Sequence, residues 1–86
     1  MHVDLNMSLC KWIVMEEIFE AELNAREVAE RLGISIQAAE NRLRRTHKSG
    51  WLNRRKYEGI YYYSLSEKAW KFYDKYGSFI DQPWYK

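Results

Sequence analysis

The chain has 86 residues, which is enough for one domain with a single modest core and too few for two domains. Its hydrophobic content of 47% and its formal net charge of +2 are both ordinary for a globular protein. The most apolar run, Leu9 to Val14, is interrupted by Lys11 and is far too short to cross a bilayer, and no basic region typical of a secretory signal precedes it. We therefore expect an intracellular, cytoplasmic protein with no membrane partner.

The content of reactive residues argues against an enzyme or a metalloprotein. The single cysteine, Cys10, cannot form an internal disulfide, and one cysteine with two scattered histidines does not make a metal site. The sequence has no glycine-rich phosphate loop, no nucleophile close to a histidine and an acid, and no carboxylate cluster outside solvated helices. It thus predicts no enzyme, no metal, no cofactor and no evident small-molecule ligand.

The first two helices are indicated by spacing and by capping residues. Apolar residues recur at roughly helical spacing over residues 8–21. Asn24 and Glu27 match a capping box, in which the two side chains satisfy each other's free backbone amides, so a second helix is expected to begin at Ala25. Gly33 is suited to the left-handed conformation that ends such a helix.

A third helix is expected directly after this turn. Ser35 is a good N-cap, and no glycine or proline follows until Gly50. Two helices joined by so short a turn predict a helix-turn-helix over residues 25–49.

A β-hairpin is predicted over residues 51–65. Two short strand-like runs flank a three-residue loop at 57–59, which has a glycine where positive φ is often needed. Tyr61 and Tyr63 are expected to share the face of Leu65 and to fill the core, because side chains alternate along a strand.

A fourth helix, 67–76, is predicted after Ser66 and before Gly77, and residues 78–86 form a tail. The expected fold class is α+β, mainly α, in one domain over 1–86. Its parts are a three-helix core, a two-stranded β-hairpin and a C-terminal helix.

The charge is distributed unevenly along the chain. Between Ser35 and Lys56 there are seven basic residues and the single acid Glu40, which gives 7 − 1 = +6. The remaining 7 basic and 11 acidic residues give −4. A basic middle on an acidic body is typical of a protein that meets a polyanion through one face.

The third helix has an inner and an outer side when it is placed on a helical wheel. Ala39, Leu43 and Thr46 form a narrow inner stripe. The outer residues are all hydrogen-bond donors and none is acidic: Gln37, Asn41, Arg44 and Lys48, with Arg45 beside them. Glutamine and asparagine pair with adenine edges and arginine pairs with guanine, so the helix fits a major groove. The alternative is a solvated helix face, for which charges of both signs are expected.

The hairpin carries a second basic cluster. Arg54, Arg55 and Lys56 are predicted to stand at its tip, where no core can use them. Such a tip can reach phosphates or enter a minor groove.

From about Asn24 to Tyr73 the chain resembles the winged helix-turn-helix family of transcription regulators. The resemblance is carried by "VAERLGIS", "AAENRLRRTHKSGWL" and "RRKYEGIYYYSLSEKAW", which look like the family's second helix, its recognition helix, and its wing with the following helix. Within the family, the chain looks most like small dimeric repressors of the multiple-antibiotic-resistance type and compact regulators from archaea and their viruses. A viral protein of this kind would act in the host cytoplasm.

The resemblance implies a sequence-specific regulator that binds double-stranded DNA as a homodimer. The recognition-helix contacts that it implies are Ser35, Gln37, Ala38, Asn41, Arg44, Arg45 and Lys48. The wing contacts are Arg54 to Lys56. Two other functions remain open: a winged-helix module that binds protein, which predicts an exposed apolar face on the third helix or the wing, and a nucleic-acid binder without sequence preference.

A dimer interface is expected on helix one and the tail, because both have more apolar residues than one core needs. The residues in this prediction are Leu5, Leu9, Trp12, Ile13, Phe79 and Trp84. The alternative is that they complete the core of a small monomer. Cys10 could form a symmetric intersubunit disulfide, or it could be a reduced, buried thiol. His47 is expected to be partly buried beside Trp51, with a phosphate contact or pH sensing as the alternative.

Overall fold

The structure is a computed structural model, and it describes residues 9–19 and 21–77. The elements follow in the order α1 (Leu9–Ile18), α2 (Ala25–Leu32), α3 (Ile36–Lys48), β1 (Leu52–Tyr57), β2 (Ile60–Leu65) and α4 (Glu67–Tyr76). This mainly helical α+β arrangement confirms the predicted fold class. No helix in these two ranges is long and apolar enough to span a membrane.

Helix α1 ends at Ile18, three residues before the predicted end. The chain turns there, since the amide of Ala21 donates to the carbonyl of Ile18, only three residues back, at 3.0 Å. Leu23 then runs antiparallel to Tyr63 and exchanges two backbone hydrogen bonds with it, at 3.0 and 2.8 Å. This isolated β-bridge was not predicted from the sequence, because a single paired residue produces no periodic pattern.

The caps of α2 and α3 form as predicted. The side chain of Asn24 accepts from the amide of Glu27, and the carboxylate of Glu27 accepts from the amide of Asn24, both at 2.9 Å. Gly33 has φ 67°, the left-handed conformation that ends α2. Ser35 accepts from the amide of Ala38 at 3.0 Å and begins α3. Because the turn between these caps is so short, it fixes α3 against α2.

The hairpin loop has two residues, not the predicted three. Tyr57 pairs directly with Ile60, and the loop residues Glu58 and Gly59 have φ 48° and 81°. Two successive positive φ values are typical of a type I′ turn, whose twist matches the strands on either side. Strand β1 accordingly begins at Leu52, one residue later than predicted.

Helix α1 lies at the centre of the core and packs against α2, α3 and β2. Its residues Trp12, Val14, Met15 and Ile18 are all buried. The ring centroid of Trp12 lies 5.6 Å from that of Trp51, a distance at which two aromatic rings pack against each other. The assignment of Trp12 to a dimer interface is therefore wrong, since its side chain is used inside the subunit.

Candidate nucleic-acid interface

Helix α3 has a buried side and an exposed side, as the wheel predicts. Ala39, Leu43 and Thr46 are fully buried. The Thr46 hydroxyl donates to the carbonyl of Arg42 at 2.7 Å, so this polar group is satisfied inside the core. The predicted DNA contacts are exposed or half-buried: Ser35, Gln37, Arg44, Arg45 and Lys48 are exposed, and Ala38 and Asn41 are half-buried. The structure thus brings all seven predicted residues to the outside of one helix and its N-cap.

Two of the outer side chains are hydrogen-bonded to each other. The guanidinium of Arg44 donates to the carboxamide oxygen of Asn41 at 2.9 Å. This bond holds both side chains on the outer side of α3. A DNA base that pairs with Asn41 or Arg44 would have to share or replace the hydrogen bond between these two side chains.

The C-terminal end of α3 is held by two lysines from other helices, which the sequence did not point to. Lys11 of α1 donates to the hydroxyl of Ser49 at 2.7 Å, and Lys68 of α4 donates to its carbonyl at 3.2 Å. The carbonyl end of a helix is partly negative, so both lysines stabilise it. Lys68 also lies over the ring of Trp51, 4.3 Å from the centroid. Helix α3 is therefore anchored at its end by both α1 and α4.

The basic residues of the wing are divided between its two faces. Residues paired across the hairpin share a face, and successive residues alternate. Arg54 pairs with Tyr63 and Lys56 with Tyr61, so these four side chains lie on one face. Arg55 lies on the opposite face. The three basic residues predicted at the hairpin tip are all exposed, but they do not share one surface.

Arg54 and Lys56 both lie over the same aromatic ring. The guanidinium carbon of Arg54 is 4.2 Å from the centroid of Tyr61, and the ammonium of Lys56 is 5.4 Å from it. An aromatic face attracts cations at such distances. Tyr61 therefore positions two charges on one side of the wing.

Arg55 is bound to an acid from outside the wing. Its Nε and one terminal nitrogen donate to the two carboxylate oxygens of Glu22, at 2.8 and 2.7 Å. The hydrogen bond from Arg55 lowers the pKa of Glu22, and the hydrogen bond to Glu22 raises the pKa of Arg55. Glu22 belongs to the segment between α1 and α2, so this ion pair joins the wing to the start of the helix-turn-helix.

His47 connects α3 to the wing. Its ring stands edge-on to Tyr63, with centroids 6.2 Å apart, and the residue is half-buried as predicted, whereas packing beside Trp51 stays a prediction. Desolvation lowers the pKa of His47, and the nearby charge of Arg54 lowers it further. Arg54 pairs across the hairpin with Tyr63, so it lies on the face of the hairpin that contacts α3.

A cleft of about 290 Å³ separates the start of α3 from the wing. Its lining residues come from α2, α3 and the hairpin: Asn24, Ala25, Arg26, Ile36, Glu40, Gly59, Ile60, Tyr61 and Tyr63. Ile36, Ile60 and Tyr61 are each 40% or more exposed. The expectation that Tyr61 fills the core is therefore wrong, whereas Tyr63 is buried as predicted.

Most residues assigned to a dimer interface lie outside the part of the chain that the structure describes. This holds for Leu5, Phe79 and Trp84 and for the side chains of Leu9 and Cys10. Ile13 is half-buried on α1. Among the residues at 9–19 and 21–77, no three His, Cys, Asp or Glu side chains cluster as metal ligands would.

Several solved structures superpose on the chain. A point variant of ZitR from Lactococcus lactis has a TM-score of 0.72 at 18% identity, covering 87% of this chain. The adhesin competence repressor AdcR from Streptococcus pyogenes also gives 0.72 at 18% identity, covering 86%. The homodimeric winged helix-turn-helix DNA-binding domain of Mb0332 from Mycobacterium bovis gives 0.69 at 15% identity, covering 77%. The chain has the winged helix-turn-helix fold.

The winged helix-turn-helix fold here spans only part of those proteins. The chain corresponds to 53% of ZitR, 56% of AdcR and 62% of the Mb0332 fragment, a possible ArsR-family transcriptional regulator. No protein-family model and no curated protein matches the sequence. In the winged-helix frame, α3 occupies the position of the recognition helix and the β1–β2 hairpin occupies that of the wing.

Proposed function

We propose that the protein is a transcription regulator that binds double-stranded DNA with sequence preference, with α3 in the major groove. The observation that carries this proposal is the outer side of α3. Its five long side chains are donors without an acid among them, and its opposite side is buried in the core. Because the core holds α3 in a fixed position, the donors on its outer side can approach base edges without a rearrangement of the fold.

The electrostatics support a polyanionic partner. The segment from Ser35 to Lys56 has a formal charge of +6, and all its basic side chains belong to α3 or the wing. Arg54 pairs across the hairpin with Tyr63, and Tyr63 contacts His47 of α3, so the position of Arg54 supports a basic surface that runs from the helix to the wing. In such an interface the wing lies on phosphates or enters the minor groove next to the major groove that α3 occupies.

A homodimer is part of the proposal. The Mb0332 domain is homodimeric, and two copies of one recognition helix would meet successive major grooves about 34 Å apart. The interface we propose comprises Leu5, Leu9 and Ile13, together with Phe79 and Trp84 of the tail, without Trp12. Cys10 lies on α1, so this interface allows a symmetric disulfide between subunits. Sedimentation at tens of micromolar tests this, since a single 10.5 kDa species would exclude the dimer.

A protein-binding module is the second candidate, and one observation favours it. Four large apolar residues are exposed at the start of α3 and on the wing: Ile36, Tyr57, Ile60 and Tyr61. Two of them, however, lie beneath cations, since Arg54 covers Tyr61 and Arg55 is 5.9 Å from the centroid of Tyr57. A surface of this mixed character fits nucleic acid better than an apolar partner.

The proposal is tested by measuring affinity for a mixed-sequence DNA duplex, the single strand and the matching RNA duplex at several salt concentrations. We expect the DNA duplex to bind most tightly, with an affinity that falls steeply as salt rises, because phosphate contacts release counterions. Preference for the RNA duplex or the single strand would contradict a major-groove reader. Absence of binding to all three at low salt would support the protein-binding module instead.

The archaeal or viral source and the repressor subtype stay predictions.

A further inference from the structure

We propose that Arg55 is a positioning residue that latches the wing to Glu22, and that Arg54 and Lys56 on the other face are the wing residues that contact DNA. This division of roles rests on the proposed DNA-binding function. The geometry behind it, however, belongs to the free protein and can be tested without DNA.

The first support is the hydrogen bonding of Arg55. Its two donors meet both oxygens of Glu22 at 2.8 and 2.7 Å, the bidentate arrangement that is strongest for an arginine and a carboxylate. Exposed ion pairs contribute little in general, and the side chains here are 58% and 34% exposed. Bidentate geometry is the case in which such a pair does hold its partners in place. A phosphate could use the same donors only by displacing Glu22.

The second support is the position of Glu22. The next residue, Leu23, is bonded through its backbone to Tyr63 of β2, and the one after it, Asn24, caps α2. The carboxylate of Glu22 reaches Arg55 on β1, the outer strand of the hairpin. The wing is therefore tied to the start of the helix-turn-helix at both strands, by backbone bonds at β2 and by a side chain at β1.

The third support is the direction in which each basic residue points. The face of Arg54 and Lys56 is also the face of Tyr63, which contacts His47 of α3. That face continues the basic surface of the recognition helix. Arg55 lies on the reverse face, with Tyr62 5.4 Å from its guanidinium. Consecutive residues in a strand cannot all face one partner, so the basic run divides between contact and support.

The alternative to a latch is that Arg55 contacts a DNA phosphate directly. The two possibilities predict opposite changes in duplex affinity for the substitution Glu22→Gln. This substitution removes an acid and frees Arg55, so affinity for a duplex rises if Arg55 contacts phosphate. If Arg55 is a latch, the wing loosens and affinity falls about two- to fivefold, the range of an exposed ion pair. The slope of log Kd against log salt stays unchanged in this case, because no phosphate contact is lost. The neighbour variant Arg54→Ala is the matched comparison, and its slope should decrease by about 1.

Exchanging the charges of Arg55 and Glu22 distinguishes the effect of the ion pair from the effect of the positive charge of Arg55. Arg55→Glu alone should weaken binding, because it places two acids together and opens the latch. Combining it with Glu22→Arg restores an ion pair at the same net charge, and we expect the affinity to return to within about twofold of the wild type. A double variant that binds as weakly as Arg55→Glu alone would overturn the latch. Equal melting temperatures of the variants would show that the fold is intact.

The DNA-free readout is the exchange rate of the Arg55 Nε–H proton with water, measured by NMR. We expect slow exchange in the wild type and fast exchange in Glu22→Gln. Fast exchange in both would overturn the latch, whatever the DNA data show. If the wild type binds no duplex but its Nε–H is protected, the proposed function fails while the latch stands.

Discussion

Helix α3 and the wing both concentrate basic residues, but they present them differently. On α3 the outer residues Gln37, Arg44 and Lys48 recur at helical spacing, so residues far apart in sequence share one side. On β1 the three consecutive basic residues alternate, so neighbours in sequence lie on opposite faces. A run of basic residues therefore indicates one contact surface only when its spacing matches the period of the element that carries it.

The largest effect is expected on the buried side of α3. Leu43→Ala should lower the free energy of unfolding by about 2–5 kcal/mol, because it leaves a cavity beneath α3. Urea denaturation measures this. The exposed neighbour Arg45→Ala is the control and should stay within about 0.5 kcal/mol of the wild type. Similar losses for both variants would contradict the division of α3 into an inner and an outer side.

The next effect concerns sequence preference. Asn41→Ala should reduce the preference for a specific duplex over a scrambled one by about 1–3 kcal/mol, with little change in affinity for the scrambled duplex. Competition binding measures the ratio. Asn53→Ala, an exposed asparagine on β1, should leave the ratio unchanged. A uniform loss of affinity for both duplexes in the Asn41 variant would show that this residue reads no base.

A smaller and uniform effect is expected from the wing. Lys56→Ala should weaken all duplexes alike and reduce the salt slope by about 1, because it removes one phosphate contact. Lys71→Ala serves as a control, since Lys71 lies on α4 and pairs with Glu67 at 3.3 Å. If both variants change the slope equally, the wing makes no special contact.

The smallest effect is the pH dependence of stability through His47. Its pKa is lowered from the ordinary value of 6.5, so the folded protein takes up this proton less readily than the unfolded chain. The neutral form of His47 therefore contributes to the stability of the folded protein. This contribution is complete above about pH 6.5 and is lost as the pH falls from there through the pKa of His47 in the folded state. We expect the melting temperature to drop more between pH 7.5 and 5.5 in the wild type than in His47→Gln, by an amount on the order of one or two degrees. Identical pH profiles would contradict the partial desolvation of His47 and its proximity to Arg54.

The sequence predicts the parts of this fold that depend on local chemistry. The capping box of α2, the Ser35 cap and the inner stripe of α3 involve residues within one or two turns, and each is confirmed. The hairpin loop was predicted one residue too long, because Tyr57 fits either a strand end or a loop. The positive φ of Glu58 is what allows a two-residue loop. It could not be predicted, because a positive φ at a non-glycine residue is not evident from residue type.

The sequence does not predict contacts between distant segments. The dimer role of Trp12 was inferred from an apparent excess of apolar residues on α1. The excess disappears once α1 lies between the helices and the hairpin, where Trp51 packs on that ring. The pairing of Glu22 with Arg55 is a contact across 33 positions, and no local pattern marks it. The proposed division of roles within the wing therefore depends on contacts that only the structure shows.

The central claim is that α3 reads sequence while the wing binds phosphate. The most direct test is to select from a randomised DNA duplex library with the wild type, Asn41→Ala and Arg54→Ala, and to sequence the retained pools. We predict one motif for the wild type, the same motif with lower yield for Arg54→Ala, and a motif with at least one position relaxed for Asn41→Ala. Two half-sites about ten base pairs apart would add support for the dimer. A wild-type pool without a motif, or identical motifs for wild type and Asn41→Ala, would contradict the claim.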